Sequence, residues 1–297
     1  MRIDGVVVGF DGSPAAYVAL DWGAATAAAH QLPLTILKAR PDAEAPVLDL
    51  PAAESEGLLS ERLSDVLDEA EERVSQAHPG LPVTTVIHPD SPVEGLLAAS
   101  TTAEMIVIGS RGLGGFEGLL IGSTAMNLTP YADCPVVVLY VPDEETVAAR
   151  EAARHPDAVV VGFDGSHHAE RALLFGLRHA EASGLGVVVV YVDAGRPKDG
   201  ILEPVEPDAQ DLPEEARADL AVAARIAARH PDVPVTYLYG VGRPAGMLIR
   251  EASGAPLAVV GARGRGGFAQ LILGSVGLQM LIYAECPVAL VRELPPD

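Results

Sequence analysis

Residues 109–123 read GSRGLGGFEGLLIGS, and residues 261–275 read GARGRGGFAQLILGS. Both stretches fit the pattern G-x2-G-x9-G-S, and each follows a short apolar run that is typical of a buried strand. Glycines let the main chain approach a ligand closely, and a Gly-Ser pair at the start of a helix directs free N–H groups at an anion. The two stretches are therefore predicted to be loops that bind phosphate groups.

The repetition extends over the whole chain. Residues 8–13 read VGFDGS, and the same six residues recur at 161–166. The separation of these two segments in the sequence is nearly the same as that of the two glycine loops. A period this long indicates two duplicated domains rather than a solenoid of short repeats. We place the first domain at residues 1–146 and the second at residues 155–297, with the boundary in the charged, alanine-rich segment 142–156.

Strands and helices alternate within each copy, which is typical of a doubly wound α/β fold with a parallel sheet. Ligands of such folds bind beyond the carboxyl ends of the strands, where the strand order reverses. Asp11 and Asp164 follow the first strand of each copy and the glycine loops follow the fourth, so we expect them to face one crevice in each copy. The predicted strands of the first copy lie near 3–10, 34–40, 82–88, 104–109 and 135–141, and the helices near 14–30, 56–77, 92–102 and 122–131.

Composition excludes several classes of protein. The chain has 297 residues, 49% of them hydrophobic, and a formal net charge of −21, which argues against binding to nucleic acid or anionic lipid. Its longest apolar stretch, near residues 184–192, is far shorter than the ~20 residues that span a membrane. The first residues lead directly into a strand without a visible signal peptide, so we expect a cytoplasmic protein. The two cysteines, Cys134 and Cys286, suggest neither a disulfide framework nor a zinc site.

With GFDGS after the first strand, the glycine loops, and a last strand that begins CPV, the chain resembles a tandem universal stress protein. The resemblance covers nearly all of both copies. It implies a five-stranded parallel sheet of order 3-2-1-4-5 in each copy, a fold of the adenine nucleotide α-hydrolase-like group. It also implies an internal pseudo-dimer paired through the fifth strands, and it leaves open a homodimer and the identity of any protein partner. The glycine pattern marks the ATP-binding subclass, so the implied ligand is ATP, with Mg²⁺.

The resemblance also implies the residues that contact the nucleotide. Glycine and aspartate after the first strand would lie beside adenosine, and the residue that ends the second strand would offer main-chain groups to adenine. The glycine loop would surround the ribose and phosphates, and its final Gly-Ser would bind phosphate. In the first copy these residues are Gly9, Asp11, Ala39, Gly109, Ser110, Arg111, Gly112, Leu113, Gly114, Gly115, Gly122 and Ser123, and in the second Gly162, Asp164, Val192, Gly261, Ala262, Arg263, Gly264, Arg265, Gly266, Gly267, Gly274 and Ser275.

Structural roles are an alternative for several of these residues. The glycine loops could be tight turns without a ligand, and each Asp could be a turn or N-cap residue before Gly-Ser. The loop arginines could be solvated cations, although a guanidinium also matches phosphate oxygens. Ser13 and Ser166 are predicted to cap the first helix of each copy rather than to contact ligand.

The sequence contains no recognisable catalytic set. The Walker pattern with its Gly-Lys pair is absent, and no lysine lies in or near either glycine loop. Fast phosphoryl transfer requires focused positive charge and a positioned nucleophile. We therefore expect a protein that is not an enzyme, with one ATP per copy, little or no hydrolysis and no residues dedicated to a metal. The alternatives are a nucleotide-free scaffold and, on weaker grounds, an adenylating enzyme of the same fold group.

Overall fold

The computed structural model describes residues 3–39, 52–113, 121–194, 200–265 and 273–292. In the first copy, strands and helices alternate in the predicted order. The elements are β1 (Val6–Gly9), α1 (Pro14–Ala29), β2 (Leu34–Ala39), α2 (Ala52–Ala77), β3 (Val83–His88), α3 (Pro92–Ser100), β4 (Met105–Gly109), α4 (Ser123–Leu128) and β5 (Val136–Leu139).

The second copy repeats this order after a helical connection. The segment that was predicted as the domain boundary contains a helix, which its alanines and glutamates favour. A short extra strand also precedes the second long helix of this copy. The elements are α5 (Glu144–Glu151), β6 (Ala158–Gly162), α6 (His167–Ser183), β7 (Gly186–Ala194), β8 (Glu203–Pro204), α7 (Glu214–Ala227), β9 (Val235–Gly242), α8 (Pro244–Ala252), β10 (Leu257–Gly261), α9 (Ser275–Tyr283) and β11 (Val288–Val291).

All these strands belong to a single sheet of order β3-β2-β1-β4-β5-β11-β10-β6-β7-β9-β8. Each copy contributes parallel strands in the order 3-2-1-4-5, which confirms the predicted topology. The expected two sheets are joined into one because β5 pairs with β11 in antiparallel register, with Val137 opposite Ala289. Since this pairing reverses the strand direction, the carboxyl ends of the strands lie at opposite edges of the sheet in the two copies.

The sheet is covered by helices on both faces. One core layer combines residues of α1, α2, α6 and α7 with one face of the strands, and the other combines residues of α3, α4, α8 and α9 with the opposite face. The central strands are buried on both sides, as expected of parallel strands in an α/β protein. Within the described residues, no helix is both long and apolar enough to cross a membrane.

Side chains also join the two copies across the pseudo-dimer seam. The Tyr140 hydroxyl donates a hydrogen bond of 2.6 Å to the carbonyl oxygen of Leu281. On the α1/α6 face, the ring of buried His179 stacks on Trp22 at a centroid distance of 5.5 Å, and its Nδ1 lies 3.4 Å from Nε2 of His30. Burial, and then the charge of His30, lower the pKa of His179 to about 4.

Candidate functional site

A cleft lies at the carboxyl ends of β1, β2 and β4, where the strand order of the first copy reverses. Its empty volume is ≈ 560 Å³ when open solvent within the cleft is included. It is lined by the predicted residues Gly9, Asp11, Ala39, Gly109, Arg111 and Gly112, and by the unpredicted residues Phe10, Ser13, Ala16, Leu37, Pro92, Leu96, Ile108 and Thr124.

Asp11 connects the first strand to the glycine loop. Its Oδ1 accepts a hydrogen bond of 2.9 Å from the Ser13 amide, and its Oδ2 accepts one of 3.0 Å from the Leu113 amide. Ser13 caps α1 as predicted, because its hydroxyl accepts from the Ala16 amide at 3.2 Å. The turn role that was the alternative for Asp11 is thus present together with a contact to the glycine loop. An ionised carboxylate has about four lone-pair positions, so acceptor capacity remains for a ligand.

The second copy has the same contacts. Asp164 Oδ1 accepts from the Ser166 amide at 3.0 Å, and Asp164 Oδ2 accepts from the Arg265 amide at 2.9 Å. Ser166 caps α6 through the Ala169 amide, as predicted. Two copies whose sequences differ elsewhere therefore hold the start of the glycine loop over the first strand in the same way.

The loop glycines are required by close packing. A Cβ atom on Gly112 or on Gly264 would overlap Oδ2 of the aspartate in the same copy. A Cβ on Gly109 would lie 2.7 Å from the main chain of Ala15 at the start of α1, and one on Gly261 would lie 2.8 Å from His168 at the start of α6. Glycine thus lets the loop approach both the aspartate and the first helix.

Each loop returns to the sheet at the start of a helix. The Gly122 amide donates to the Ser110 carbonyl at 2.6 Å, and the Gly274 amide donates to the Ala262 carbonyl at 2.8 Å. Gly122 and Gly274 are the N-cap residues of α4 and α9, so no capping side chain is available for the amides of the first turn. Among the described residues, no side chain caps these amides, and uncapped amides in a first helical turn favour an anion.

The remaining residues that were predicted to contact the nucleotide differ in how far they are buried in the structure. Gly114, Gly115, Gly266 and Gly267 lie outside the described residues. Ser110 and Ala262 are buried beneath the loops, and their amides donate to carbonyls of β5 and β11. Ser123 and Ser275 are exposed at the helix starts. Val192 and Ala39 are half-buried at equivalent register positions, but only Ala39 ends its strand, since β7 continues to Ala194. Gly162 packs against Leu248 of α8 and Arg263 is half-buried, while Leu113 is 72% exposed.

Lys38 was not predicted to belong to the site, but it lies beside Asp11 in the structure. Lys38 is distant from both glycine loops in sequence, yet its Nζ donates a hydrogen bond of 2.9 Å to the Asp11 carbonyl oxygen. The residue is buried over the ring of Phe10. Burial lowers the pKa of Lys38, and the nearby Asp11 opposes that shift. A lysine within an otherwise apolar strand was the signal that could have predicted this contact.

The equivalent region of the second copy contains a different set of polar residues. Arg265 was predicted to contact phosphate, but its guanidinium pairs instead with Glu215, at 2.7 Å, and with Asp219. Asp219 also accepts a hydrogen bond of 3.1 Å from the Tyr191 hydroxyl. The two carboxylates on α7 attract the arginine away from the crevice, and sequence analysis did not identify either of them. In the described part of the chain, no three His, Cys, Asp or Glu side chains form a group that could hold a metal ion.

Comparison with known proteins identifies the family. The sequence profile of the Universal stress protein family matches residues 3–140 and residues 156–292. The chain belongs to the universal stress protein family. Both matches lie within the predicted domains 1–146 and 155–297, whose outer bounds stay a prediction.

Relatives have the same tandem architecture. A universal stress protein of Mycolicibacterium smegmatis is 34% identical over 97% of both chains, and one of Mycobacterium tuberculosis is 33% identical over 97% of both. Among solved structures, a universal stress protein of Archaeoglobus fulgidus superposes with a TM-score of 0.70 at 20% identity, covering 97% of this chain and 98% of that one. One of Pseudomonas aeruginosa gives 0.57 at 14% identity, covering 97% and 92%. The family and its tandem α/β fold are therefore established for this chain.

Proposed function

We propose that this universal stress protein binds one ATP in each copy, hydrolyses it slowly or not at all, and acts as a nucleotide-dependent regulatory protein. One observation carries the proposal. In both copies, an aspartate after the first strand accepts a hydrogen bond from the main chain of the glycine loop, at 3.0 Å in the first copy and 2.9 Å in the second. The contact holds two parts of a binding crevice in one geometry despite sequence divergence around it.

Main-chain donors support binding of the phosphate groups. The crevice ends at the first turns of α4 and α9, whose N-cap glycines leave the amides without a capping side chain. Such amides, together with the helix dipole, favour an anion. Arg111 lines the first cleft and is exposed, so its guanidinium can reach phosphate oxygens. A Mg²⁺ ion would be held mainly by phosphate oxygens and water, as is usual for this cation.

Apolar walls support binding of the base. Leu37, Leu96 and Ile108 line the cleft of the first copy. Ala39 ends β2 with a small side chain, which leaves its main chain accessible to the polar edge of adenine. A crevice with apolar walls and a few polar groups at its ends is typical of a small-molecule site.

The distribution of positive charge supports slow or absent hydrolysis. Arg111 is the only cationic side chain among the described residues that line the first cleft. The nearby Lys38 directs its ammonium group at the Asp11 carbonyl rather than into the cleft. Fast phosphoryl transfer needs several charges focused on the γ-phosphate and an oriented nucleophile. Bound ATP would then alter the conformation and surface of the protein without turnover. A cytoplasmic location and a role in stress responses stay part of this proposal.

The nucleotide content of the purified protein tests the proposal. The protein is denatured, the released nucleotide is identified by mass, and its amount per chain is counted. We expect ATP approaching two molecules per chain, and a melting temperature that rises with added ATP and Mg²⁺ because binding stabilises the folded state. Recovery of ADP alone would contradict slow hydrolysis. Absence of nucleotide, together with no thermal shift at millimolar ATP, would favour the scaffold alternative.

A further inference from the structure

Three residues of the second copy connect its glycine loop to β7 through α7. Arg265 follows Gly264 in the glycine loop, and its guanidinium extends across the start of α6 to Asp219 on α7. Asp219 Oδ2 accepts a hydrogen bond from the hydroxyl of Tyr191, which directly precedes Val192 on β7. We call Tyr191, Asp219 and Arg265 the clasp. It joins the loop that would bind the phosphates to the strand end that would contact adenine.

The Asp219 carboxylate at the centre of the clasp depends on its two partners. The Asp219 side chain is only 8% exposed, so the carboxylate would be costly to bury without its partners. Burial, together with the hydrogen bond to Asp219, raises the pKa of Tyr191, which therefore stays protonated and donates. Gly165 has φ +71°, and a Cβ there would overlap both Arg265 and Asp219. The glycine thus provides the space through which the arginine reaches α7.

The first copy has different residues at each equivalent position. Strand register aligns Lys38 with Tyr191, since β2 and β7 pair with the first strand of their copies in the same way. The glycine after Asp11 faces Val66 on α2, whereas its counterpart faces Asp219. Leu113 replaces Arg265, and an exposed leucine cannot form a polar anchor. Among the described residues, the first glycine loop is therefore attached through its main chain, and the second through its main chain and the side chain of Arg265.

We propose that the clasp preorganises the second site, so that it binds ATP more tightly and releases it more slowly than the first. Arg265 is in this proposal a positioning residue, which fixes the loop without contacting the ligand. Ordering a loop on binding costs conformational entropy, and a loop that is already fixed loses less. The inference rests on the proposed function, because it ranks the two ATP sites. We expect an affinity ratio of about tenfold between the sites.

Site-resolved affinities test the proposal. Gly112→Glu disables the first site and leaves the second for measurement, and Gly264→Glu does the reverse. In the Gly112→Glu background, Tyr191→Phe, Asp219→Val and Arg265→Leu are introduced together, so that no clasp residue keeps a polar group without its partner. We expect the triple variant to weaken ATP binding about tenfold, mainly through faster release, to the level of the first site. Val66→Asp and Leu113→Arg in the Gly264→Glu background, with Lys38 kept as the donor to the Asp11 carbonyl, should tighten the first site.

Amide hydrogen exchange provides a measurement that does not depend on nucleotide. The amides of Leu113 and Arg265 both donate to an aspartate, so they are matched probes of the two loops. In the nucleotide-free protein we expect slower exchange at Arg265 than at Leu113, and equal rates after the triple substitution. Equal rates before it, or an unchanged second-site affinity after it, would overturn the clasp. A protein that bound no ATP would refute the proposed function and the affinity ranking, and the exchange rates would still decide whether the clasp fixes the loop.

Discussion

The two copies share the main-chain frame of the crevice and differ in the side chains that support it. Both hold the glycine loop on an aspartate, with amide contacts of 3.0 Å and 2.9 Å. Behind this contact, the first copy has Lys38 bound to the Asp11 carbonyl, whereas the second has Tyr191 and Arg265 bound to Asp219. The main-chain contacts that shape the proposed ligand site are thus the same in both copies, whereas the side chains that support the glycine loop differ.

Two copies with the same sequence motif can therefore differ in the side chains that support their glycine loops. Main-chain contacts depend on glycines and on strand order, which both copies keep. The rigidity of a loop depends also on side chains from distant elements, such as α7 for the second loop. Motif matching alone predicts two equivalent sites, whereas the side chains around Arg265 are the basis of our proposal that the sites differ in ATP affinity.

The largest effect is expected from a loop glycine. Gly112→Glu should remove ATP from the first copy, with at least about a hundredfold loss of affinity, because its Cβ overlaps Asp11 and its carboxylate would repel phosphate. Gly264→Glu should act in the same way on the second copy alone. Titration calorimetry would then count one nucleotide per chain for each variant.

Gly246→Glu is the matched control for these substitutions. Gly246 lies on α8, where an added Cβ would have no atom within 4 Å, and the first copy already has a glutamate, Glu94, in the first turn of the equivalent helix. This variant should bind ATP at both sites. Two nucleotides per chain after both loop substitutions combined would refute binding at the glycine loops.

A second prediction concerns the seam between the copies. The pKa of His179 is lowered to about 4 by burial and by His30, so the unfolded chain binds more protons than the folded one between about pH 6.5 and pH 4. The free energy of unfolding should therefore fall by about 2–3 kcal/mol as the pH drops through this window. Urea denaturation at several pH values measures the change.

His179→Phe separates this effect from general acid destabilisation. Phenylalanine can keep the ring contacts with Trp22 and Phe175 but cannot be protonated. The variant should lose less stability than the original protein over the same pH range. Parallel curves for the two proteins would show that His179 does not control the pH dependence.

The smallest effect is expected at Lys38. Lys38→Met removes the donor to the Asp11 carbonyl and should weaken the first site by about two- to tenfold, which corresponds to the net value of one hydrogen bond. The second site is the internal control, since it has Tyr191 at this position. The measurement is the ATP affinity of each site with the other disabled. An equal loss at both sites would indicate a general loss of structure instead.

The sequence predicted the features that depend on local pattern. Apolar runs and glycines were sufficient for the alternation of strands and helices and for the caps Ser13 and Ser166. The strand order and the pairing of fifth strands were implied by the resemblance to the family, and the structure confirms both. The helix Glu144–Glu151 and strand β8 were missed because short polar segments have weak periodicity.

The supporting side chains of the site could not be predicted in the same way. Asp219 lies on a helix 46 positions before Arg265, and only the packing of α7 against the sheet brings them together. Lys38 was considered remote from the glycine loops because it is far from them in the sequence. The ends of neighbouring parallel strands lie close together in space, however, and Lys38 contacts the main chain of Asp11 there. The sequence analysis weighed a phosphate role against a solvated role for Arg265, and it did not identify the carboxylates of Glu215 and Asp219 with which the guanidinium pairs.

The antiparallel pairing of β5 with β11 bears on whether a side chain of one copy could act on a nucleotide bound by the other copy. Because the strands of the two halves run in opposite directions, the crevices open towards opposite sides of the molecule. We therefore expect no described side chain of one half to act as an arginine finger on a nucleotide held by the other. We expect any such finger to be donated by a separate polypeptide.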